Sequence, residues 1–224
     1  MQIKSFPWKS QETDISVCAH TAAWTITRYF GNKFRDYADA TIGELVEHTN
    51  NDWGRKTPSL GLTPVQVSDL LKNYNFSPLI LQREKGKEEG FLDDIIAYIE
   101  SGIPMIGFLY PIKHAVSIIG HGLINYSILD NPEMLDMLKD TEINVLSHGR
   151  LIPDLYVMDD NYFPYRKVKE LPSKETDTDY GLRELEYAVV PLYRRMQLTY
   201  SDVYERFKTW RKGKCHGLGR ILYL

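Results

Sequence analysis

The sequence has little of what would assign it to a specialised class of protein. It contains two cysteines, Cys18 and Cys215, which are too few for a disulfide-stabilised scaffold. No uninterrupted apolar run approaches the roughly 20 residues of a membrane span, and the N-terminal segment MQIKSFPWKSQETD has no apolar core of signal-peptide length. We therefore expect free thiols, a cytoplasmic location and no association with membranes.

Neither sign of charge is in large excess. The formal net charge is −3 and the isoelectric point is near 6.1, so the charge gives no reason to expect nucleic acid as a partner. The 224 residues are 43% hydrophobic and 25% charged, which is ordinary for a globular protein that can bury a core. The length favours one large domain or two lobes around a cleft.

Helical patterns come first in the chain and strand patterns come later. This order predicts an α+β fold rather than alternating strand–helix units. The predicted helices are 16–30, 42–48, 63–74, 91–100, 131–138 and 200–211. The predicted strands are 78–81, 103–110, 114–120, 126–129, 155–159 and 185–192, with 103–110 and 114–120 as antiparallel neighbours. Residues 172–183 are polar and predict an exposed loop.

Cys18 lies where an extended polar segment turns into the first predicted helix. Unpaired backbone N–H groups and the helix dipole stabilise a negative charge at such a position, so a thiolate is favoured there. A cysteine taken alone is more often a small buried hydrophobic residue. A nucleophilic role for Cys18 therefore depends on partners elsewhere in the chain.

The candidate partners of Cys18 are a histidine and a carboxylate on two predicted strands. His114 begins the apolar run HAVSIIGHG, and Asp159 ends a later strand. A nucleophilic thiol needs a base to take its proton, and the base needs an acceptor to orient its ring. Because side chains alternate along a strand, we expect one member of the Asp159–Asp160 pair to face His114. The residues alone leave Asp159, Asp160 and Asn161 open as the group that orients His114.

A fourth candidate, Gln11, precedes Cys18 by seven residues. Acyl transfer through a thiol requires preset hydrogen-bond donors for the negatively charged oxygen of the intermediate. The side-chain amide of Gln11 and the backbone N–H of Cys18 could supply such donors.

Two other uses of these residue types are less favoured. His121 is seven residues after His114, so on a regular strand the two side chains point to opposite faces. Cys18, His20 and residues 215–216 offer soft metal ligands, but their spacing is not that of zinc sites, and positions two apart diverge on a helix. We expect no metal, and no disulfide between the two cysteines.

The order Gln11, Cys18, His114 and Asp159 resembles that of papain-like cysteine peptidases. It is most similar to the bacterial branch that includes peptidases removing double-glycine leaders from exported peptides. The segment SGIPMIGFLY ahead of the histidine strand also resembles the family pattern. The resemblance covers roughly residues 5–165. It departs from the pattern where alanine rather than glycine follows Cys18, and where the interval from Gln11 is one residue longer.

The resemblance implies a papain-like α+β fold with a catalytic core over 1–165. A helical lobe over about 1–101 would carry the nucleophile and pack on a mostly antiparallel sheet lobe over about 102–165. Residues 166–224 would be an extension that completes the sheet lobe or contacts a partner. The basic stretch near the C-terminus is a possible docking surface for a protein partner.

The function implied is a cysteine peptidase that cleaves a peptide or isopeptide bond through a thioester acyl-enzyme. Its substrate would be a peptide or protein, and it would need no metal or organic cofactor. Two alternatives stay open. One is an acyltransferase of the transglutaminase-like or phytochelatin-synthase-like type, and the other is a non-catalytic peptide-binding module of the same fold.

Overall fold

The computed structural model describes residues 5–10, 18–49, 61–84, 88–140, 143, 145–169, 179–196 and 198–214. Its α-helices, in chain order from α1 to α6, are Cys18–Lys33, Ile42–Glu47, Pro64–Lys72, Glu88–Glu100, Pro132–Leu138 and Tyr200–Lys214. Its strands, from β1 to β8, are Leu79–Gln82, Met105–Leu109, His114–His121, Lys139–Asp140, Val145–Leu146, Asp154–Met158, Arg166–Lys169 and Leu185–Val190. Short 3-10 helices span Tyr126–Asp130, His148–Leu151 and Leu182–Glu184.

The main sheet has six strands in the order β1-β8-β2-β3-β6-β7. Every neighbouring pair in it is antiparallel. Helix α1 lies against β3 and β2, so the helix that begins with Cys18 packs directly on the centre of the sheet. This mixture of helices with an antiparallel sheet confirms the predicted α+β class.

Helix α1 is buried along most of its length because its side chains are small or apolar where it meets the sheet. Ala22, Ala23 and Ile26 are at most 4% exposed. The hydroxyl of Ser117 on β3 donates to the backbone oxygen of Ala22 at 3.2 Å, which fixes the helix on the strand. The helix continues to Lys33, beyond the predicted end at residue 30, and Gly31 makes room there for the backbone of Asp39.

Helices α2 and α3 each begin at a capping box. Thr41 accepts from the backbone N–H of Glu44, and the carboxylate of Glu44 accepts from the backbone N–H of Thr41. Thr63 and Gln66 form the same reciprocal pair at the start of α3, whose first residue is Pro64. Such capping boxes satisfy backbone donors that a helix start leaves unpaired.

Three local predictions need correction. Residues 126–129 form part of a 3-10 helix rather than a strand, since the segment lies outside the sheet and finds no strand partner there. The segment 172–183 is not wholly an exposed loop, because Tyr180 and Leu182 at its described end are 3% and 6% exposed. Strand β7, which pairs with β6, was not predicted, since its sequence RKVK is mostly charged.

The sheet also draws strands from both sides of the predicted lobe boundaries. Strand β1 precedes residue 101, and β7 and β8 follow residue 165. Strand β8 lies between β1 and β2, where Gly107 permits close packing. A Cβ atom at position 107 would lie 2.8 Å from Leu185 Cδ1 and 2.9 Å from Ile118 Cδ1. Among the described residues, no helix combines the length and apolar character needed to cross a membrane.

Candidate active site

Antiparallel pairing of β3 with β6 brings His114 and Asp159 to the same end of the sheet. Ser117 pairs with Met158, the last residue of β6. Asp159, which follows Met158, therefore lies beside the beginning of β3, where His114 stands. Cys18 is the first residue of α1, and this helix packs across β3. Three segments far apart in the chain thus place a thiol, an imidazole and a carboxylate at one position.

The imidazole of His114 has partners on both sides. Its Nε2 donates to Asp159 Oδ1 at 2.9 Å, which leaves Nδ1 as the ring nitrogen available to the Cys18 thiol, with which the ring also interacts. Burial alone would lower the pKa of His114, but the hydrogen bonds with Asp159 and Cys18, together with their charges, raise it from 6.5 to about 10. The ring is therefore favoured as an imidazolium at neutral pH.

Asp159 is fully buried and surrounded by donors. Besides His114, the backbone N–H of Asn161 donates to Oδ1 at 2.9 Å, and the hydroxyl of Tyr180 donates to Oδ2 at 2.5 Å. Burial opposes ionisation, but the hydrogen bond and charge of His114, followed by the bond from Tyr180, hold the pKa of Asp159 below its ordinary value. Asp159 is thus a fixed anion. Its backbone oxygen accepts from Trp8 Nε1 at 2.8 Å.

Asp160 also lies near His114, contrary to the expectation from strand alternation. Its Oδ1 is 3.8 Å from His114 Nε2, and its side chain is 2% exposed. The alternation rule does not apply because β6 ends at Met158, so both aspartates lie beyond the regular strand. Neither oxygen of Asp160 meets a donor in hydrogen-bond geometry within the described residues.

The surroundings of Asp160 differ in electrostatic effect from those of Asp159. Burial, together with the charge of Asp159, raises the pKa of Asp160 from 3.8 to about 6. The imidazole of His114 and weak contacts from its own N–H and the Thr21 hydroxyl offset only part of this effect. The pKa values of these two adjacent carboxylates, both beside the imidazole of His114, are therefore shifted in opposite directions.

A cleft of about 210 Å³ opens beside the thiol and the imidazole. Cys18 and His114 form one side of it, and the other walls include Leu62, Phe108 and Tyr110. The cleft reaches Cys18, although this residue is only 6% exposed.

The remaining site predictions have mixed outcomes. Gln11 lies outside the described residues. Asn161 contacts Asp159 through its backbone N–H rather than its side chain. His121, at the far end of β3, bonds Glu100 at 2.6 Å and takes no part in the site.

His20 points away from the thiol, even though it is only two residues from it. Its Nε2 lies 3.0 Å from Thr49 Oγ1 in a buried setting. Burial lowers the pKa of His20 to about 4, which keeps the ring neutral. His20 is therefore a structural residue that connects α1 with the end of α2.

The nitrogen and oxygen atoms of His114, Asp159 and Asp160 lie within 4.8 Å of one another and are of the type that binds zinc. However, His114 Nε2 and Asp159 Oδ1 already bond each other. A cation held there would replace the proton of that bond and release the ring from its orientation toward Cys18. The arrangement fits proton transfer better than metal ligation.

Tyr180 is the site residue that sequence reasoning missed. It is 3% exposed, and its hydroxyl contacts Asp159 from a part of the chain that the sequence suggested was a polar loop. Burial and the charge of Asp159 hold the pKa of Tyr180 far above its ordinary value, so the hydroxyl remains a donor. The available signal was an aromatic residue followed by Gly181-Leu182 immediately before a predicted strand.

Comparison with known proteins gives a fold-level likeness. No family model matches the chain, and no curated protein matches it. Among solved structures, the chain is similar to the peptidase domain of Streptococcus ComA, a bi-functional ABC transporter involved in a quorum-sensing pathway. The similarity covers 84% of this chain and 99% of that domain, with 11% identity and a TM-score of 0.48.

Proposed function

We propose that this chain is a papain-like cysteine peptidase that hydrolyses a peptide or isopeptide bond. The observation that supports the proposal is the position of the His114 ring, which is hydrogen-bonded to Asp159 and interacts with the Cys18 thiol beside an open cleft. A buried thiol with only a structural role does not require a histidine beside it. A buried histidine with only a structural role does not require a carboxylate that accepts three hydrogen bonds, as Asp159 does. The three together meet the requirements of nucleophilic acyl transfer.

In the proposed reaction, His114 takes the proton of Cys18, and the sulfur attacks the carbonyl carbon of the substrate. The resulting tetrahedral intermediate collapses to a thioester as His114 gives its proton to the leaving amine. Water, deprotonated by His114, then attacks the thioester and releases the carboxylic acid, and the proton returns to the Cys18–His114 pair. Asp159 stays ionised and holds the ring.

The negatively charged oxygen of each intermediate requires donors aimed at it. The backbone N–H of Cys18 stands at the first described position of α1, where no described residue precedes it in the helix to accept its hydrogen bond. We assign it this role together with the side-chain amide of Gln11. Asp159 lies on the opposite side of His114 from the thiol, so it orients and charges the ring without touching the substrate.

The test is the rate at which a peptidyl electrophile, such as an acyloxymethyl ketone, alkylates Cys18 at neutral pH. The site of alkylation is assigned by mass spectrometry of a digest, and Cys215→Ser removes the other thiol. We expect Cys18 to react at least about 100-fold faster than free cysteine in the wild type, and His114→Ala to abolish that advantage, because general-base contributions are typically 10²–10⁴-fold.

His121→Ala is the matched control, since it removes a histidine from the same strand and leaves the site intact. It should keep the labelling rate of the wild type. A wild-type Cys18 that reacts no faster than free cysteine, or equal losses in the two histidine variants, would overturn the proposal. Turnover of a casein digest, with release of new amino termini, then distinguishes hydrolysis from binding alone.

A further inference from the structure

Among the described residues that line it, the cleft beside the proposed nucleophile has apolar walls and, besides the imidazole of His114, one cationic side chain on its rim. Leu62, Phe108 and Ala115 are each at most 6% exposed and form the walls. Lys113 also lines the cleft and is solvent-exposed, next in the chain to His114. An apolar pocket with one charged group at its edge is the usual form of a site that selects a side chain by both size and charge.

Lys113 has no hydrogen bond or ion pair with any residue that the structure describes. Other lysines in the described parts of the chain do pair with a carboxylate: Lys72 with Asp69 at 2.7 Å and Lys167 with Asp154 at 3.2 Å. The charge at the cleft is therefore left available to a ligand.

The backbone conformation at position 113 is one that lysine rarely adopts. It has φ of 55°, in the left-handed region that favours glycine or asparagine. The residue closes the turn between β2 and β3, where glycine would relieve the strain. Strained residues of this kind gather at sites where the side chain is needed. A lysine at this position gives no packing contact that explains it, since its side chain is exposed.

We propose that Lys113 selects substrates in which an acidic residue lies next to an apolar one. The apolar side chain enters the cleft between Leu62, Phe108 and Ala115, and the neighbouring carboxylate pairs with Lys113. The inference deepens the proposed peptidase function and rests on it. It gives that function a substrate class, namely acidic–apolar peptide segments, with the acidic group recognised within a few residues of the scissile bond.

The experiment compares matched peptidyl acyloxymethyl ketones that carry leucine and differ only in glutamate or glutamine. The acidic residue is placed in turn at each of the neighbouring positions, and the second-order rate of Cys18 alkylation is measured. At the best position we expect the glutamate probe to react about 3- to 10-fold faster than its glutamine isostere at low salt, as for a partly desolvated ion pair. The advantage should shrink as salt rises.

Lys113→Asn should bring the glutamate-to-glutamine ratio close to one, because asparagine tolerates the same backbone angle without a charge. Lys113→Arg should restore the preference. Lys72→Gln is the matched control, since Lys72 ends α3 while the cleft lies at the start of that helix; it should retain the wild-type ratio. Lys113→Gly takes the place of the asparagine variant if circular dichroism shows that the latter folds poorly.

Failure of this inference can be distinguished from failure of the proposed function. If Cys18 is rapidly alkylated but every position gives a ratio near one, or if the ratio survives Lys113→Asn, the role of Lys113 is wrong and the peptidase proposal stands. If no probe reacts with Cys18 faster than with free cysteine, both are overturned.

Discussion

Replacing Asp160 with asparagine is expected to stabilise the folded protein at neutral pH, although Asp160 is buried beside the site. Its side chain is 2% exposed, and neither oxygen meets a donor in hydrogen-bond geometry among the described residues. An ionised carboxylate in such a position loses its hydration without full replacement. An amide of the same shape carries no charge, so its burial costs less hydration free energy. The substitution should therefore remove a cost that the folded state bears.

The magnitude follows from the pKa of Asp160, which burial raises from 3.8 to about 6. One pKa unit corresponds to about 1.36 kcal/mol, so the ionised form costs the folded state up to about 3 kcal/mol at pH 7. A raised pKa means that the folded state binds the proton more tightly than the unfolded chain does. The cost is therefore absent below pH 3.8, grows as the pH rises to about 6, and is constant above that value.

Asp159→Asn is the matched control and should have the opposite effect. The pKa of Asp159 is held low by His114 and Tyr180, so its ionised form stabilises the fold at neutral pH and this contribution is lost as acid protonates it. Its replacement weakens bonds to both donors and should cost about 1–3 kcal/mol. Urea unfolding at several pH values between 4 and 8 measures both variants.

A destabilised Asp160→Asn variant at pH 7, or a stabilisation that is equally large at pH 4, would refute the reasoning. So would the same sign of change in both variants. The rate of Cys18 labelling also distinguishes the two aspartates. Asp160→Asn leaves the hydrogen bond between His114 and Asp159 in place, whereas Asp159→Ala removes it. We expect the latter to slow labelling by about 10²-fold or more.

Three further predictions concern single groups. Tyr180→Phe should destabilise the protein by about 1–2 kcal/mol and raise the pKa of Asp159, because Oδ2 loses its donor; urea unfolding and the acid limb of the labelling rate measure the two effects. The loss of stability in His114→Ala should be largest below pH 6.5 and shrink as the pH rises toward 10. The pKa of His114 is raised to about 10 in the folded protein, so the ring stabilises the fold only while it is protonated. Unfolding at pH 6 and pH 10 checks this. Gly107→Val should lower stability by about 1–3 kcal/mol through contact with β8, measured as a fall in Tm.

Much of the helical part could be predicted because its signals are local. Thr63-Pro64 marks the start of α3 through a side-chain cap and a proline suited to the first turn. The strands on either side of Pro111 are neighbours in sequence, so their antiparallel pairing needs only a turn. The end of α1 was harder, because Gly31 can stop a helix or admit a neighbouring backbone, and only tertiary packing decides between them.

The proximity of Cys18, His114 and Asp159 could also be predicted, but the local arrangement of the two aspartates could not. The prediction used side-chain alternation, which holds inside a strand. Strand β6 ends one residue before Asp159, and beyond that point the chain direction depends on contacts such as that of Trp8 with the Asp159 backbone. The end of a strand can be predicted from sequence only to within one or two residues. That margin determines whether one or both aspartates lie beyond β6 and near the imidazole.

The place of residues after 165 depends on pairing that no local pattern reveals. Strand β8 has an ordinary strand sequence, LEYAVV, but its partners β1 and β2 lie far from it in the chain and are adjacent to it in space. The paired residues Leu79 and Val190 are 111 positions apart, and Leu109 and Leu185 are 76 positions apart. Its arrival between them carries Tyr180 to Asp159. The same insertion thus completes the sheet and supplies a donor to the carboxylate beside His114. A part of the chain that resembled an appendage in sequence is for this reason integral to both the fold and the site.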